Sequence, residues 1–456
     1  MTIKRWVRTR GLAILTSPLY RDLRRGKAVL LRRLRGQQAV VHYFHQVDDP
    51  YSDLAVRALP HLAANYAIKI VPHLVPTPDA GAAPEPQRLR DWSLRDAADL
   101  ANALKLTPPP WRHAPSSDAL GQAQAALAGI SDVVEFTETA ANIRHAFSVL
   151  DELGFNELGL NELGIASTGY AAAALTDGKA LRAMLGHYLG GMFYFEGEWY
   201  WGLDRLPYLE QRLQPLAQHS QVTPFVPRLE TSVVTVATPD IQAQAQTPLT
   251  ASSGPQRPIL DLYFSFRSPY SWIVLPRVIA LANAYHAHLR LRFVLPMVMR
   301  GLPIPDAKRF YIVSDTKREA ERVGLPFGMI ADPVGKPTER GLAVLHHAIQ
   351  HNKGEAFAVS FMRGVFAEGI NARSDSGLLK LCKRAGISEA HMHAALADPG
   401  WRAVAEANRE DMFTLGIWGV PAFRVNEGSA HWGQDRLWLL EEQLKQATMP
   451  VPDARP

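Results

Sequence analysis

The sequence predicts an α/β chain made of two tandem copies of one layout. Each copy is a βαβ unit, an inserted helical lobe, then a β-hairpin with a closing helix. Two pairs of matching phrases predict it. "VVHYFHQVDDPYSDLAVRALPHLAANYAIKIVPHLV" (40–75) parallels "ILDLYFSFRSPYSWIVLPRVIALANAYHAHLRLRFVLPMV" (259–298), and "GHYLGGMFYFEGEWYWGLDRLPYLEQRL" (186–213) parallels "GIWGVPAFRVNEGSAHWGQDRLWLLEEQL" (416–444). The pairs come in the same order in each half, as a duplication requires.

The first pair reads as strand, loop, helix and strand. "AVVHYF" and "ILDLYFSF" have strand patterning. "DLAVRALPHLAANY" and "WIVLPRVIALANAY" have apolar residues near a 3.6-residue period, and "AIKIVPHLV" and "LRLRFVLPM" return as strands. A strand, helix and strand in this order make a parallel pair with a right-handed crossover. The second pair reads as a hairpin with a Gly-containing turn, then Trp-Gly-x-Asp-Arg opening a helix. Between the pairs lie helical stretches: "FTETAANIRHAFSVLDEL" in the first half, and "GEAFAVSFMRGVF", "GLLKLCKRAG" and "EAHMHAALADPGWRAVAEANREDMFTLG" in the second. The sum is the layout of a thioredoxin fold with an inserted helical lobe.

Length and composition agree with this division. A chain of 456 residues exceeds one ordinary core. The expected boundaries are a basic arm at 1–37, a first domain at 38–237, a flexible linker at 238–258 ("TPDIQAQAQTPLTASSGPQRP"), a second domain at 259–446 and a tail at 447–456. The net charge of +5 is misleading as a whole. Residues 1–37 hold eleven Lys/Arg against Asp22 alone, so the rest of the chain is net acidic. The arm reads either as a surface contacting anionic lipid or nucleic acid, or as a solvated helix packing Trp6, Leu12, Leu15, Leu19 and Leu23 on the body. It lacks the apolar core of a secretory signal. No run of 18 apolar residues predicts a membrane span, so the expected location is cytoplasmic. The single cysteine, Cys382, excludes an intrachain disulfide and CxxC redox chemistry. It falls in a helical core pattern and is expected to be buried. His346, His347, His391 and His393 lack the spacing of a zinc motif, and no metal is expected.

Three phrases of the second half could carry chemistry. In "RSPYSW", Ser268 before a proline is a good helix start, and also a hydroxyl placed at a positive helix end. In "GVPAF", Pro421 cannot donate to a ladder. It marks either an ordinary trans turn or a cis bond with the backbone of Val420 presented to an extended ligand. In "WGQDRL", the N–H groups after Gly433 suit a carboxylate and Asp435 suits an ammonium group. One ligand with a thiol, a peptide backbone, an α-carboxylate and an α-ammonium would engage all three phrases, and glutathione is such a molecule.

With these residues in view, the segment 259–446 resembles the kappa-class glutathione transferases and the 2-hydroxychromene-2-carboxylate isomerases. These form part of the DsbA-like branch of the thioredoxin superfamily. "YFSFRSPYSW", "KRFYIVSDTKREAERVGLPFG", "GVPAF" and "GQDR" carry the match. The resemblance implies an α/β protein of two tandem thioredoxin-like (DsbA-like) domains, and glutathione as cofactor. It implies that Ser268 activates the sulfur and that Val420, before Pro421, binds the cysteinyl backbone. It implies further that Gln434 and Asp435 hold the γ-glutamyl end, and that Lys308 and Tyr311 line the substrate site. The family's Asn-x-Pro-Pro phrase has no counterpart in "MVMRGLPIPDAK".

The first half departs at each point: Asp49 replaces Ser268, Gly191 replaces Pro421 and Leu203 replaces Gln434. It reads as a degenerate copy, forming either an intrachain pseudo-dimer with the second or an independent domain on the linker. The expected activity is glutathione-dependent isomerisation or transfer on a small conjugated, aromatic-derived electrophile. The alternatives are a non-catalytic binding or chaperone module, or a DsbA-family protein without CxxC.

Overall fold

The protein is described by a computed structural model covering residues 10–449, except 12, 80, 111–112, 153–170, 234–256 and 303. Most of the expected linker, with Trp6 and Leu12 of the arm, lies outside the described residues. The chain divides into two compact units. One comprises Asp22–Leu229 with Ile304–Tyr311, and the other Met1–Arg21, Glu230–Pro303 and Ile312–Pro456. Each holds a small mixed sheet.

Helix α1 (Pro18–Leu34) precedes the first sheet. Its start is capped by Ser17, whose Oγ accepts from Tyr20 N at 3.2 Å. The leucines read as packing residues do not pack: Leu15, Leu19 and Leu23 are exposed, and no residue of α1 is buried. In the first sheet, β1 (Ala39–His45) pairs in parallel with β2 (Ile68–Leu74). It pairs antiparallel with β3 (Met192–Phe195), which turns back as β4 (Glu198–Trp201), giving the order β2-β1-β3-β4. Pro72 is tolerated because β2 is an edge strand. The β3–β4 turn is Glu196-Gly197, both with positive φ (45° and 90°), as a two-residue hairpin with native twist requires.

The single helix expected between β1 and β2 is instead two, α2 (Pro50–Val56) and α3 (Leu59–Asn65). Pro60 has no N–H to bond back to Val56, so the helix restarts there. Helices α4 (Pro86–Ala103), α5 (Ser117–Leu127), α6 (Val133–Glu152) and α7 (Ala171–Met184) lie between β2 and β3 in sequence, and α8 (Gly202–Leu213) closes the unit. Leu54, Leu62, Phe136, Phe147, Phe193 and Leu206 share one core.

The second sheet follows the same order. β5 (Ile259–Phe264) leads to α9 (Pro269–Ala284) and then to the parallel strand β6 (His288–Phe293). Pro276 leaves α9 unbroken, because most of that helix is buried and packing offsets the missing bond. α10 (Asp306–Arg322) follows, its residues up to Tyr311 grouping with the first unit. Then come α11 (Lys336–Gln350), α12 (Gly354–Ala367), α13 (Asp375–Arg384), α14 (Glu389–Ala397) and α15 (Trp401–Thr414). The last two read as one helix in the sequence, but they part at Pro399, which cannot continue α14. β7 (Ala422–Val425) and β8 (His431–Trp432) complete the order β6-β5-β7-β8. A 3₁₀ turn, Gln434–Arg436, opens α16 (Leu437–Thr448). Cys382 is buried, and burial pushes its thiol up to about 12.

Candidate functional site

The site is built where β5 ends. The chain turns, with Ser268 N donating to Ser265 O at 2.9 Å, and Ser268 takes extended angles as N-cap of α9. Its Oγ accepts from Ser271 N at 3.1 Å, and Pro269 fills the first helical turn. The same hydroxyl donates to Val420 O at 3.4 Å. That is longer than the usual O–H···O distance of about 2.7–2.8 Å, so the proton is weakly held and open to a better acceptor.

Val420–Pro421 is a cis peptide bond. Pro421 O accepts from Gly433 N at 2.9 Å, tying this loop to the segment that follows β8. Gly433 has φ 102°, which a side chain would strain. A Cβ on Gly419 would lie 2.1 Å from the Trp432 ring, so the loop rests directly on β8. Gln434 is buried: its Oε1 accepts from Arg277 Nη1 at 3.3 Å and its Nε2 donates to Asp435 Oδ1. Arg277 is itself buried in α9. Burial, then Arg322, lowers its pKa to about 10 against the opposing pull of Glu319 and Asp435.

Four hydrogen bonds, with the peptide bonds Val420–Pro421 and Gly433–Gln434 between them, thus join Ser271, Ser268, Val420, Pro421, Gly433, Gln434 and Arg277. Ser268, Val420, Pro421, Gln434 and Asp435 are brought together. Gln434 is engaged by protein groups on both ends of its amide, so it supports the segment as much as it offers itself. Lys308 and Tyr311 group with the first unit. Lys308 Nζ donates to Ala82 O at 2.9 Å and lies 5.8 Å from the Tyr188 ring centre, and burial lowers its pKa. Tyr311 meets the His187 ring edge-on at 4.6 Å.

Two residues escaped the sequence reading. Ser271 Oγ is buried and has no hydrogen-bond partner among the described residues. Its position three residues after Ser268 was the available signal. Arg277 lay hidden in an apolar helical run, where a lone arginine looks like a surface residue. Histidines also gather unexpectedly: His347, His351 and His391 have ring centres 4.1 to 5.7 Å apart. The i, i+4 spacing of His347 and His351 foreshadows two of the three.

The first unit holds the corresponding place with other chemistry. Asp49 caps α2, accepting from Ser52 N at 2.9 Å and Ser52 Oγ at 2.7 Å. Burial raises its pKa to about 6, against those bonds. Gly202 N donates to Gly191 O at 2.8 Å, as Gly433 N does to Pro421 O. A Cβ on Gly190 would lie 2.4 Å from Gln46 Cβ, and one on Gly191 3.3 Å from Asp49 Oδ2, so this loop is pressed shut against the cap. The position nine residues past the cap is the buried Ala58, where the second unit has Arg277.

The family model described as the DSBA-like thioredoxin domain matches residues 259–445. No curated protein matches the chain. Among solved structures the chain is similar to a 2-hydroxychromene-2-carboxylate isomerase, with 22% identity over 41% of this chain and 95% of that one and a TM-score of 0.36. It is similar to the cytosolic disulfide reductase DsbM from Pseudomonas aeruginosa, with 22% identity over 41% of this chain and 99% of that one and a TM-score of 0.34. DsbM has also been solved with GSH, and that structure aligns at 20% identity over 41% of this chain and 99% of that one, with a TM-score of 0.32. Residues 259–445 form a DsbA-like thioredoxin domain.

Proposed function

We propose that this chain is a glutathione-dependent isomerase or transferase acting on a small conjugated, aromatic-derived electrophile, with its site in the second unit. The observation that carries the reading is the Ser268 hydroxyl, which caps α9 and donates only at 3.4 Å to Val420 O. The residues fit glutathione. Val420 would hold its cysteinyl backbone, and Asp435 with the Gln434 segment its γ-glutamyl end. The orphaned Ser271 hydroxyl is a further buried donor beside the cap. When bound, glutathione supplies a thiolate nucleophile. Ser268 donates its proton as a hydrogen bond to that sulfur, and the positive end of the 16-residue helix α9 adds to the stabilisation. Thiol–disulfide exchange is disfavoured, since the one cysteine is buried and its thiol held protonated.

We read the two units as copies of one ancestral domain. The identical strand order supports this, as do the paired Gly433–Pro421 and Gly202–Gly191 bonds. The first copy has lost the hydroxyl, the proline and the arginine. Calorimetry of the full chain with glutathione tests the reading. One molecule bound per chain, and none in the Asp435→Ala variant carrying Ser268→Ala, is the expected result. Two per chain would place a working site in the first unit, and none would leave only a binding module of unknown ligand.

A further inference from the structure

In α1 the usual amphipathic arrangement is inverted. An ordinary surface helix turns its apolar stripe to the core and its charges to water. Here Arg24, Arg25 and Arg32 turn toward the β3–β4 hairpin, which groups in one unit with residues 22–34. Arg25 makes two bonds to Glu198, at 2.6 and 2.7 Å, Arg32 bonds Glu196 at 2.8 Å, and Arg24 donates to Gly197 O at 3.1 Å. The leucines face out. Leu19, Leu23, Leu30 and Leu34 are 72%, 64%, 57% and 73% exposed. At 100° per residue they fall within an arc of about 60°. Lys27 and Arg33 flank that arc, both are exposed, and among the described residues neither meets a carboxylate.

We propose that α1 docks this protein on an anionic lipid bilayer, lying in the interface plane with its leucine arc in the acyl boundary and Lys27 and Arg33 at the headgroups. An apolar arc bordered by unpaired cations is what such a surface selects. Among the described residues no helix is long and apolar enough to cross a membrane, so the contact is peripheral. The pattern disfavours the other occupants. A second copy would need an unbroken heptad seam, but the seam running Leu19, Leu23, Gly26, Leu30, Arg33 is interrupted by a glycine and an arginine. A nucleic acid would need free cations and has no use for exposed leucines, whereas Arg25 and Arg32 are already bound to glutamates.

The test is sedimentation of the full chain with vesicles of phosphatidylcholine alone and of phosphatidylcholine with phosphatidylserine. The parent should bind the mixed vesicles, less so at high salt. A combined Leu23→Asn, Leu30→Asn, Leu34→Asn variant should lose more than tenfold in partitioning while its urea midpoint stays put, because these leucines contribute nothing to the core. Lys27→Glu with Arg33→Glu should abolish the preference for phosphatidylserine with the leucines intact. Unchanged binding by the leucine variant overturns the proposal. So does a concentration-dependent dimer in the absence of lipid that the leucine substitutions dissolve, or tighter binding to duplex DNA that they leave untouched.

Discussion

The Tyr270 hydroxyl donates to the Asp315 carboxylate across 2.7 Å, and 45 residues earlier-to-later separate the two partners. The first unit repeats the bond between Tyr51 and Asp96, at 2.6 Å and with the same separation of 45. In each unit the tyrosine of the Pro-Tyr-Ser phrase thereby ties the helix start to the helix that follows the βαβ unit. The bond is present in both units, although the helix start is capped by Ser268 in one and by Asp49 in the other, which marks it as part of the scaffold.

Tyr270→Phe should therefore weaken the fold. It removes one donor from Asp315, which is 1% exposed and also pairs with Arg318 at 3.5 Å. Losing a hydrogen bond to a buried charged group costs about 1.5–3 kcal/mol. Tyr51→Phe should cost a similar amount through Asp96. Urea midpoints of the two variants measure this, and values matching the parent would show that the bonds contribute nothing.

Acid should act through Asp261 in the middle of β5. This carboxylate is fully buried and accepts from Arg290 at 2.8 and 2.6 Å and from Arg292 at 2.9 Å. Burial alone would raise its pKa, but the two arginines outweigh burial and hold it below the usual carboxylate range. A carboxyl whose pKa is depressed by folding stabilises the native state above its unfolded pKa, and that contribution is lost as pH falls through the lower folded value. The window lies below about pH 4. Asp261→Asn removes the anion that Arg290 and Arg292 share, and since both guanidiniums reach solvent it should cost about 1–3 kcal/mol at neutral pH. The variant's stability should also fall less steeply below pH 4. An acid limb as steep as the parent's would assign that limb to other groups.

How much of this was legible in the sequence depended on whether the signal was local. Both sheets, both hairpins and the Ser268 cap follow from nearby residues, and the sequence reading found them. The two aromatic strands hide an offset of one residue. Tyr43 and Tyr263 look equivalent, yet β1 ends at His45, four residues before the Asp49 cap, and β5 at Phe264, four before Ser268. Phe44 therefore holds the place of Tyr263, and Tyr43 faces the other side, bonding Ser52 O at 2.8 Å. The two loops are equal in length, so the tyrosines of the two phrases sit one strand position apart and face opposite sides, because side chains alternate along a strand. The Tyr270–Asp315 bond, the role of Arg277 and the inward turn of Arg25 and Arg32 were not legible, since each depends on a partner far away in sequence.

Alkali should act through Glu355, the second residue of α12, whose burial raises its pKa to about 7. The native state keeps this proton over a range where the unfolded chain has lost it. Stability from this group is present below the unfolded value of about 4.5 and is lost as pH rises through 7. Glu355→Gln removes the penalty. The variant should equal the parent near pH 4 and exceed it by up to about 3 kcal/mol at pH 8. A pH-independent difference between the two would mean that Glu355 does not titrate in this range.

Ser268→Ala separates the two roles of that hydroxyl. As a cap it accepts from Ser271 N at 3.1 Å, and losing a serine cap costs about 1 kcal/mol. The fold should survive, and the urea midpoint should fall by only that amount. As a donor to an anionic sulfur it is worth far more, since removing one well-placed donor from a developing anion costs about 10²–10³ in rate. Affinity for glutathione should change little, because the Val420 backbone and Asp435 remain. The thiol of bound glutathione should take a higher pKa, and turnover of a conjugated electrophile should fall in step with the lost thiolate. Ser268→Cys keeps an acceptor at the cap but alters the donor, so it should shift that pKa without restoring the parent profile. Thiolate absorbance followed against pH reads the shift directly. A Ser268→Ala profile that overlays the parent's would reduce Ser268 to a helix cap, and the proposed site would lose its chemistry.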